Sequence, residues 1–125
     1  LLEDAVAMAH RLADRLDYVG VLALELFVTR DGRLLANEFA PRVHNSGHWT
    51  QDACACGQFE QHIRAVCGWP LGDPARLGDG EMVNLLGSEA ESWAEALAAG
   101  DRLHLYGKRH AADGRKMGHV TRLRL

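Results

Sequence analysis

The feature that most constrains the fold is a hairpin signal, Asp31-Gly32, which lies between two apolar segments. Residues 19–29 are apolar on both faces and predict a strand inside a sheet. Residues 34–40 predict the returning strand, and Pro41 ends it because proline cannot donate to a strand ladder. An Asp-Gly pair between two such segments is typical of a tight antiparallel hairpin. We therefore expect an antiparallel ribbon near the start of the chain.

The turn decides which side chains face one another across this ribbon. If Asp31-Gly32 is a two-residue turn, Arg30 faces Arg33, and stepping along both strands places Glu25 opposite Glu38. A four-residue loop keeps this register, whereas a three-residue loop shifts it. Asn37 is then expected on the other face of its strand.

Two opposed carboxylates in apolar surroundings need an explanation, because like charges at directly opposed positions are destabilising. One carboxyl group can stay protonated, as in acid pairs that share a proton. An arginine can bridge the pair, or the pair can lie at an exposed edge. A divalent cation can also sit between Glu25 and Glu38, since Mg²⁺ takes one or two carboxylates and completes its shell with phosphate oxygens.

A dense group of hydrogen-bonding side chains follows the second strand: Arg42, His44, Asn45 and Ser46. Ligands of sheet-based enzymes commonly bind beyond strand ends. A solvated connection with a capping Ser or Thr is the alternative. The density of donors favours the binding of an anionic or polar ligand by this loop. An anion bound there could also contact a cation held by the neighbouring carboxylates.

The rest of the chain predicts a mixed α and β fold in two parts, residues 1–68 and 69–125. The first part adds helices at 1–16 and from Thr50 or Asp52 to Cys67. The second adds a short strand at 82–86, a helix opened by a Ser88–Glu91 capping box, and strands at 103–106 and 119–125. Cys54-Ala55-Cys56 is interpreted as small buried thiols on the predicted helix, not as a zinc motif.

Composition excludes several classes of function. A net charge of −3 gives no case for nucleic-acid binding. No apolar run is long enough to cross a membrane, and no signal peptide is recognisable. The odd number of Cys residues fits a reducing cytoplasm. The chain opens inside a helical pattern without an initiator Met, so we expect it to be a piece of a longer protein.

A basic segment near the end of the chain suggests a second anion site. Lys108, Arg115 and Lys116 lie across a glycine-rich loop that could wrap a phosphate, although a solvated basic edge is the commoner meaning of such a run. His104, His110 and His119 show no ligand spacing and are assigned no role.

Several motifs together resemble a known family. They are Glu25, then Asn37-Glu38-x-Ala-Pro-Arg-x-His-Asn-Ser-Gly-His-Trp-Thr50, Gln58-Phe-Glu-Gln-His-x-Arg-Ala65, Asn84-Leu-Leu-Gly87, His104-Leu-Tyr-x-Lys108 and Gly114-Arg-Lys-x-Gly-His119. This pattern is similar to the C-terminal third of the bacterial ATP-dependent 5-(carboxyamino)imidazole ribonucleotide synthases, which are ATP-grasp enzymes of purine biosynthesis. The Asn-Glu-x-Ala-Pro-Arg portion is shared widely among ATP-grasp proteins, and the His-Asn-Ser-Gly-His-Trp-Thr continuation is more specific.

The resemblance implies a fold, a reaction and site residues. The fold would be the C-terminal half of an ATP-grasp domain, an antiparallel sheet with helices, followed by a small β-rich subdomain. ATP and bicarbonate would form carboxyphosphate, whose carboxyl group passes to the amine of aminoimidazole ribonucleotide. The implied roles are Mg²⁺ binding by Glu25 and Glu38, nucleotide binding by Asn37 and Glu38, catalysis by Arg42 and His44, and substrate binding by Asn45, Ser46, Lys108 and Arg115.

The resemblance also implies partners and leaves alternatives open. Such enzymes carry an N-terminal α/β domain and a lid that supply the rest of the ATP and ribonucleotide sites, and they are usually homodimers. This chain alone is therefore expected to be inactive. The alternatives are another ATP-grasp ligase, such as a formate-dependent glycinamide ribonucleotide transformylase or a biotin carboxylase relative, and a non-catalytic binding or assembly module.

Overall fold

The computed structural model describes residues 1–124 and has the expected mixed α and β character. Antiparallel strands alternate with short helices along this part of the chain. The elements are α1 (Leu2–Arg15), β1 (Ala23–Val28), β2 (Leu34–Ala40), α2 (Thr50–Ala53), α3 (Gln58–Val66), β3 (Asp79–Leu86), α4 (Trp93–Ala98), β4 (Arg102–Leu105) and β5 (Lys116–Arg124). No helix within residues 1–124 combines the length and the apolar content that a bilayer crossing needs.

The chain divides into two compact units. The first contains residues 1–48 and 56–73, and the second contains residues 49–55 and the chain from residue 74 onward. The short segment 49–55, which carries α2, thus groups with the later strands.

In the first unit, α1 forms where the apolar spacing predicts it. Glu3 and Asp4 in its first turn and Arg15 in its last turn match the helix dipole. The ribbon of β1 and β2 is also confirmed, but within the described residues β1 pairs with β2 alone. Phe27 and Val28 therefore remain largely exposed, in contrast to the expectation that this strand lies inside a sheet.

The turn of this ribbon differs from the simplest prediction. Its loop has three residues, because Thr29 N donates to Arg33 O (2.9 Å) and Gly32 N donates to Thr29 O (3.0 Å). Gly32 has a φ of +80°, a conformation that costs a glycine little and other residues more. The Asp31 carboxylate accepts hydrogen bonds from Thr29 and Arg33, which lower its pKa.

The single helix predicted from Thr50 or Asp52 to Cys67 is wrong, because the chain leaves the helix at Cys54. Cys54 forms a β-bridge with Arg76, Ala55 N donates to Ala75 O (2.9 Å), and Leu77 N donates to Ala53 O (2.8 Å). These strand-type hydrogen bonds replace the helical ones. Cys54 and Cys56 are buried, as expected for small thiols, but they do not share a helix.

The second unit is built on an antiparallel sheet with strand order β3-β5-β4. β5 is the central strand and is buried from Met117 to Thr121. β4 lies so close to β5 at this point that a Cβ atom on Gly118 would be 2.5 Å from the His104 carbonyl oxygen. The predicted Ser88–Glu91 capping box is replaced by a 3-10 turn at residues 87–92, where Glu89 Oε2 accepts a hydrogen bond from Leu86 N (2.7 Å).

Candidate functional site

The first candidate site is the pair of carboxylates on the ribbon, and the structure places Glu25 opposite Glu38 as predicted. The route to this pairing differs from the prediction. The three-residue loop shifts the register by one residue, and a bulge next to Glu25 shifts it back, with Leu26 opposite Ala36 and Asn37 as the extra residue. Two irregularities that cancel therefore produce the predicted pair.

The bulge also changes the direction of Asn37, which was expected on the other face of its strand. Its Nδ2 atom donates to Glu25 Oε2 at 3.2 Å. A bulged strand bends and re-aims the side chains on either side of the extra residue. Asn37 and Glu38 consequently both belong to the neighbourhood of Glu25.

His44 completes a three-residue cluster with these carboxylates. Its Nε2 atom lies 3.5 Å from Glu25 Oε1 and 4.0 Å from Glu38 Oε1. The His44 side chain is only 14% exposed, whereas Glu25 and Glu38 are 41% and 62% exposed. One possible ligand atom from each residue lies within 4.8 Å of the others. A partly buried imidazole thus faces two carboxylates that remain open to a ligand.

The orientation of His44 is fixed from behind by its own loop. Ser46 Oγ lies 2.9 Å from His44 Nδ1, so the ring turns Nε2 toward the carboxylates. Asn45 opens a short 3-10 turn over Asn45–Gly47, which brings Ser46 to this position. The hydroxyl of Ser46 is therefore already used to hold an imidazole.

Gln58 holds the backbone of the same loop and was not singled out as functional from the sequence. Its Oε1 accepts from His44 N (3.0 Å), its Nε2 donates to His44 O (2.8 Å), and Nε2 lies 2.6 Å from His48 Nδ1. Gln58 is buried, and a Cβ at Gly47 would lie 2.5 Å from its Oε1. The only signal in the sequence was the presence of Gln58 in one of the resembling motifs.

The remaining predicted site residues are placed as follows. Arg42 is exposed, and its Nη1 donates to the Val43 carbonyl oxygen at 3.0 Å. In the second unit, Lys108 Nζ donates to Lys116 O (2.5 Å) and Arg115 Nη1 donates to His110 O (3.0 Å). Lysine has three donors and arginine has five, so these contacts leave both cations able to bind an anion.

The ribbon cluster suits a hard divalent cation. Carboxylate oxygens are the ligands that Mg²⁺ prefers, and its octahedral shell requires further oxygens that phosphates or water can supply. The exposure of Glu25 and Glu38 leaves room for those additional ligands. A cation would also offset the repulsion between two opposed carboxylates.

Two domain families match the chain. The ATP-grasp domain matches residues 1–59, and the phosphoribosylaminoimidazole carboxylase C-terminal domain matches residues 81–124. The first match contains the ribbon cluster and its loop, and the second contains Lys108 and Arg115.

Curated relatives carry one name repeatedly. The N5-carboxyaminoimidazole ribonucleotide synthase of Brucella melitensis is 59% identical over 98% of this chain and 34% of that protein. The enzyme of the same name from Bacillus subtilis is 54% identical over 95% of this chain and 32% of that protein. The chain therefore spans about a third of the length of the curated relatives that it matches.

Solved structures agree with these relatives. An N5-carboxyaminoimidazole ribonucleotide synthetase solved as its ADP complex superposes with a TM-score of 0.88, at 52% identity over 98% of this chain and 33% of that chain. The Aspergillus clavatus synthase, solved with ADP and 5-aminoimidazole ribonucleotide, gives a TM-score of 0.77 at 34% identity over 84% of this chain and 30% of that chain. The chain belongs to the N5-carboxyaminoimidazole ribonucleotide synthase family of ATP-grasp proteins.

Proposed function

We propose that this chain is part of a ligase that carboxylates 5-aminoimidazole ribonucleotide. The reaction would consume ATP and bicarbonate and yield N5-carboxyaminoimidazole ribonucleotide, ADP and phosphate, through carboxyphosphate. The observation that carries the proposal is the ribbon cluster, in which Glu25 and Glu38 face each other beside His44 Nε2. The Aspergillus clavatus synthase is solved with ATP in one structure and with ADP and 5-aminoimidazole ribonucleotide in another.

Glu25 and Glu38 are the residues that would hold Mg²⁺. When bound, the ion supplies positive charge that offsets the negative charge of transferring phosphoryl groups. Asn37 supports Glu25 through its 3.2 Å hydrogen bond, and we assign it to the nucleotide site beside the carboxylates. Glu38 is the more exposed carboxylate and is therefore the one assigned to both metal and nucleotide.

The loop after β2 would bind the reacting groups. His44 presents Nε2 toward the carboxylates and holds or receives a proton at that atom, because Ser46 engages Nδ1. Arg42 is an exposed cation four residues beyond Glu38, and we assign it to the anionic carboxyphosphate. Asn45 and Ser46 are assigned to the polar groups of the ribonucleotide.

Lys108 and Arg115 are assigned to the phosphate of the ribonucleotide. Both lie in the loop between β4 and β5. Lys108 donates to a backbone carbonyl at the start of β5, and Arg115 donates to a backbone carbonyl within the loop. A guanidinium and an ammonium together match a phosphate group, the first through its planar donors and the second as a point charge.

The same proposal includes partners and a setting. The remaining two-thirds of a full-length synthase would supply an N-terminal domain and a lid. Within this chain, we assign residues 1–68 to the ATP-grasp portion and residues 69–125 to the small C-terminal subdomain. We further propose a homodimer in the cytoplasm, where the free thiols of Cys54, Cys56 and Cys67 would stay reduced.

The test is substrate-dependent ATP hydrolysis by the full-length polypeptide that carries this chain. We expect phosphate release that requires Mg²⁺, bicarbonate and 5-aminoimidazole ribonucleotide together. Hydrolysis that requires formate and glycinamide ribonucleotide instead would favour a different ATP-grasp ligase. No turnover with either set, from a protein that is folded and binds nucleotide, would favour a non-catalytic module.

A further inference from the structure

A second cluster of histidine and carboxylate side chains lies in the other unit, on residues for which no functional role was predicted. His104 on β4 pairs directly with His119 on β5, and their rings stack with centroids 4.6 Å apart at an angle of 21°. Asp52, from α2, adds a carboxylate whose Oδ2 lies 2.9 Å from His104 Nε2. Three different elements thus direct metal-binding side chains to one point.

The cluster is more enclosed than the one on the ribbon. His119 is 1% exposed, and the side chains of Asp52 and His104 are 13% and 25% exposed. One possible ligand atom from each residue lies within 4.8 Å of the other two. Tetrahedral Zn²⁺ with bonds of about 2.0–2.1 Å needs ligand atoms roughly 3.4 Å apart. The stacked rings of His104 and His119 therefore have to turn until both direct a nitrogen at the same ion.

Each imidazole is held at a second nitrogen by a neighbour. Gln51 Nε2 lies 3.1 Å from His104 Nδ1, and the Tyr106 hydroxyl lies 2.8 Å from His119 Nδ1. In protein metal sites a ligand imidazole donates its second N–H to such a neighbour, so on metal binding Gln51 would turn its amide oxygen, and Tyr106 its hydroxyl oxygen, toward Nδ1.

We propose that Asp52, His104 and His119 bind one divalent transition-metal ion of the Zn²⁺ type, with a fourth position left for water or an external ligand. Two imidazole nitrogens and one carboxylate favour zinc and its neighbours over Mg²⁺, which prefers oxygen ligands. The competing interpretation is a purely structural Asp–His hydrogen bond. That interpretation requires only Asp52 and His104, whereas the metal site also requires His119.

The proposal is independent of the ligase function, and the probe is Zn²⁺ itself. Zn²⁺ is titrated into the full-length polypeptide against a chromogenic chelator, in excess Mg²⁺, and in a His44→Gln background so that the imidazole of the ribbon cluster does not compete. We expect one Zn²⁺ per chain, with affinity lowered at least tenfold in Asp52→Asn and in His104→Gln. Tyr106→Phe keeps all three ligands but loses the orienting hydroxyl, and is expected to show a smaller decrease.

Matched controls separate this site from other zinc ligands. Asp113→Asn and His110→Asn remove an exposed carboxylate and an exposed imidazole of the same unit, and Cys67→Ser removes the exposed thiol. All three should bind Zn²⁺ as the unchanged protein does. Far-UV circular dichroism with chelator present checks that each variant is folded, and His104→Gln replaces Asp52→Asn as the primary test if the latter unfolds.

Two outcomes overturn the proposal. One is the absence of stoichiometric Zn²⁺ binding by the unchanged, folded protein. The other is stoichiometric binding whose affinity is the same in folded Asp52→Asn or His104→Gln as in the unchanged protein.

Discussion

The two clusters use similar residues in opposite surroundings. The ribbon cluster, Glu25, Glu38 and His44, has two exposed carboxylates and one imidazole. The sheet cluster, Asp52, His104 and His119, has one carboxylate and two imidazoles, and His119 is almost fully buried. The first is rich in oxygen and open to solvent, whereas the second is rich in nitrogen and enclosed.

For the two ions proposed, this difference would suit different tasks. An open pair of carboxylates leaves coordination positions for phosphate oxygens and water, which suits an ion that arrives and leaves with a nucleotide. An enclosed pair of imidazoles held by Gln51 and Tyr106 offers few such positions and suits an ion that stays. The kind of ion that each cluster suits thus depends on two further features. One is the hydrogen bond made by the second nitrogen of each imidazole, and the other is the solvent exposure of the cluster.

The largest effect that tests this contrast is expected from Glu38→Gln in the full-length polypeptide. The change keeps the shape of the side chain and removes a negative charge from the ribbon cluster. We expect the carboxylation rate constant to fall by roughly 10²–10³-fold, since charge stabilisation at a phosphoryl-transfer site is worth about that much.

The control is Glu81→Gln, the same chemical change at an exposed position of β3. It should leave the rate within about twofold, because a single exposed charge away from the reacting groups contributes little. Steady-state kinetics at saturating substrates measures both variants. A Glu38→Gln enzyme that works as well as the Glu81→Gln enzyme would remove the ribbon cluster from the mechanism.

A smaller effect is expected from Gln58→Leu, which tests whether the ribbon cluster depends on its supporting loop. The change leaves the backbone N–H and C=O of His44 without their side-chain partner, at a cost of about 2 kcal/mol in the free energy of unfolding. We also expect a loss of roughly tenfold in kcat/KM, because His44 would no longer be held against the carboxylates.

Gln61 provides a matched comparison on the same helix, α3. It makes the same pair of backbone hydrogen bonds with a different loop residue, accepting from Gly72 N (3.0 Å) and donating to Gly72 O (2.6 Å). Gln61→Leu should cost similar stability in chemical denaturation and far less activity. Equal losses of activity in both variants would mean that Gln58 acts through general stability alone.

The smallest effect is expected from Thr121→Val in the second unit. Thr121 is fully buried, and within residues 1–124 its Oγ1 atom has no hydrogen-bond partner in the protein. Removing this hydroxyl should raise the free energy of unfolding by about 1 kcal/mol, because a buried hydroxyl without a partner is costly. Thermal unfolding of the full-length polypeptide measures it.

The reverse change at the neighbouring position sharpens this result. Val120 is also buried, and Val120→Thr introduces a hydroxyl into the same sheet. It should destabilise by about 1–3 kcal/mol. A destabilising Thr121→Val would show that this hydroxyl has a partner, such as ordered water, in solution.

Much of the ribbon was predictable from the sequence because its determinants are local. Asp31-Gly32 marked the turn, and the apolar runs on either side marked the strands. The pairing of Glu25 with Glu38 was also predicted, but from a two-residue turn. The sequence alone did not reveal the three-residue loop or the bulge, because either register satisfies a strand that is apolar on both faces.

Features that depend on distant partners were not predictable. The helix expected over 50–67 breaks because Ala53 accepts a hydrogen bond from Leu77 and Ala55 donates one to Ala75, at sequence separations of twenty residues or more. His104 and His119 have no ligand spacing along the chain, and they meet only because β4 and β5 pair in one register. A connection of about ten residues does not fix that register in advance.

The bulge at Asn37 has a consequence for anyone who alters the hairpin. If the same residues formed a two-residue turn, with Arg30 opposite Arg33 and the bulge kept, the strands would slide by one position and Glu25 would lie opposite Phe39. A change of turn type at this tip therefore alters the pairing of Glu25 and Glu38 from six residues away. Turn and bulge have to be exchanged together, as one unit, if the ribbon is moved into another scaffold.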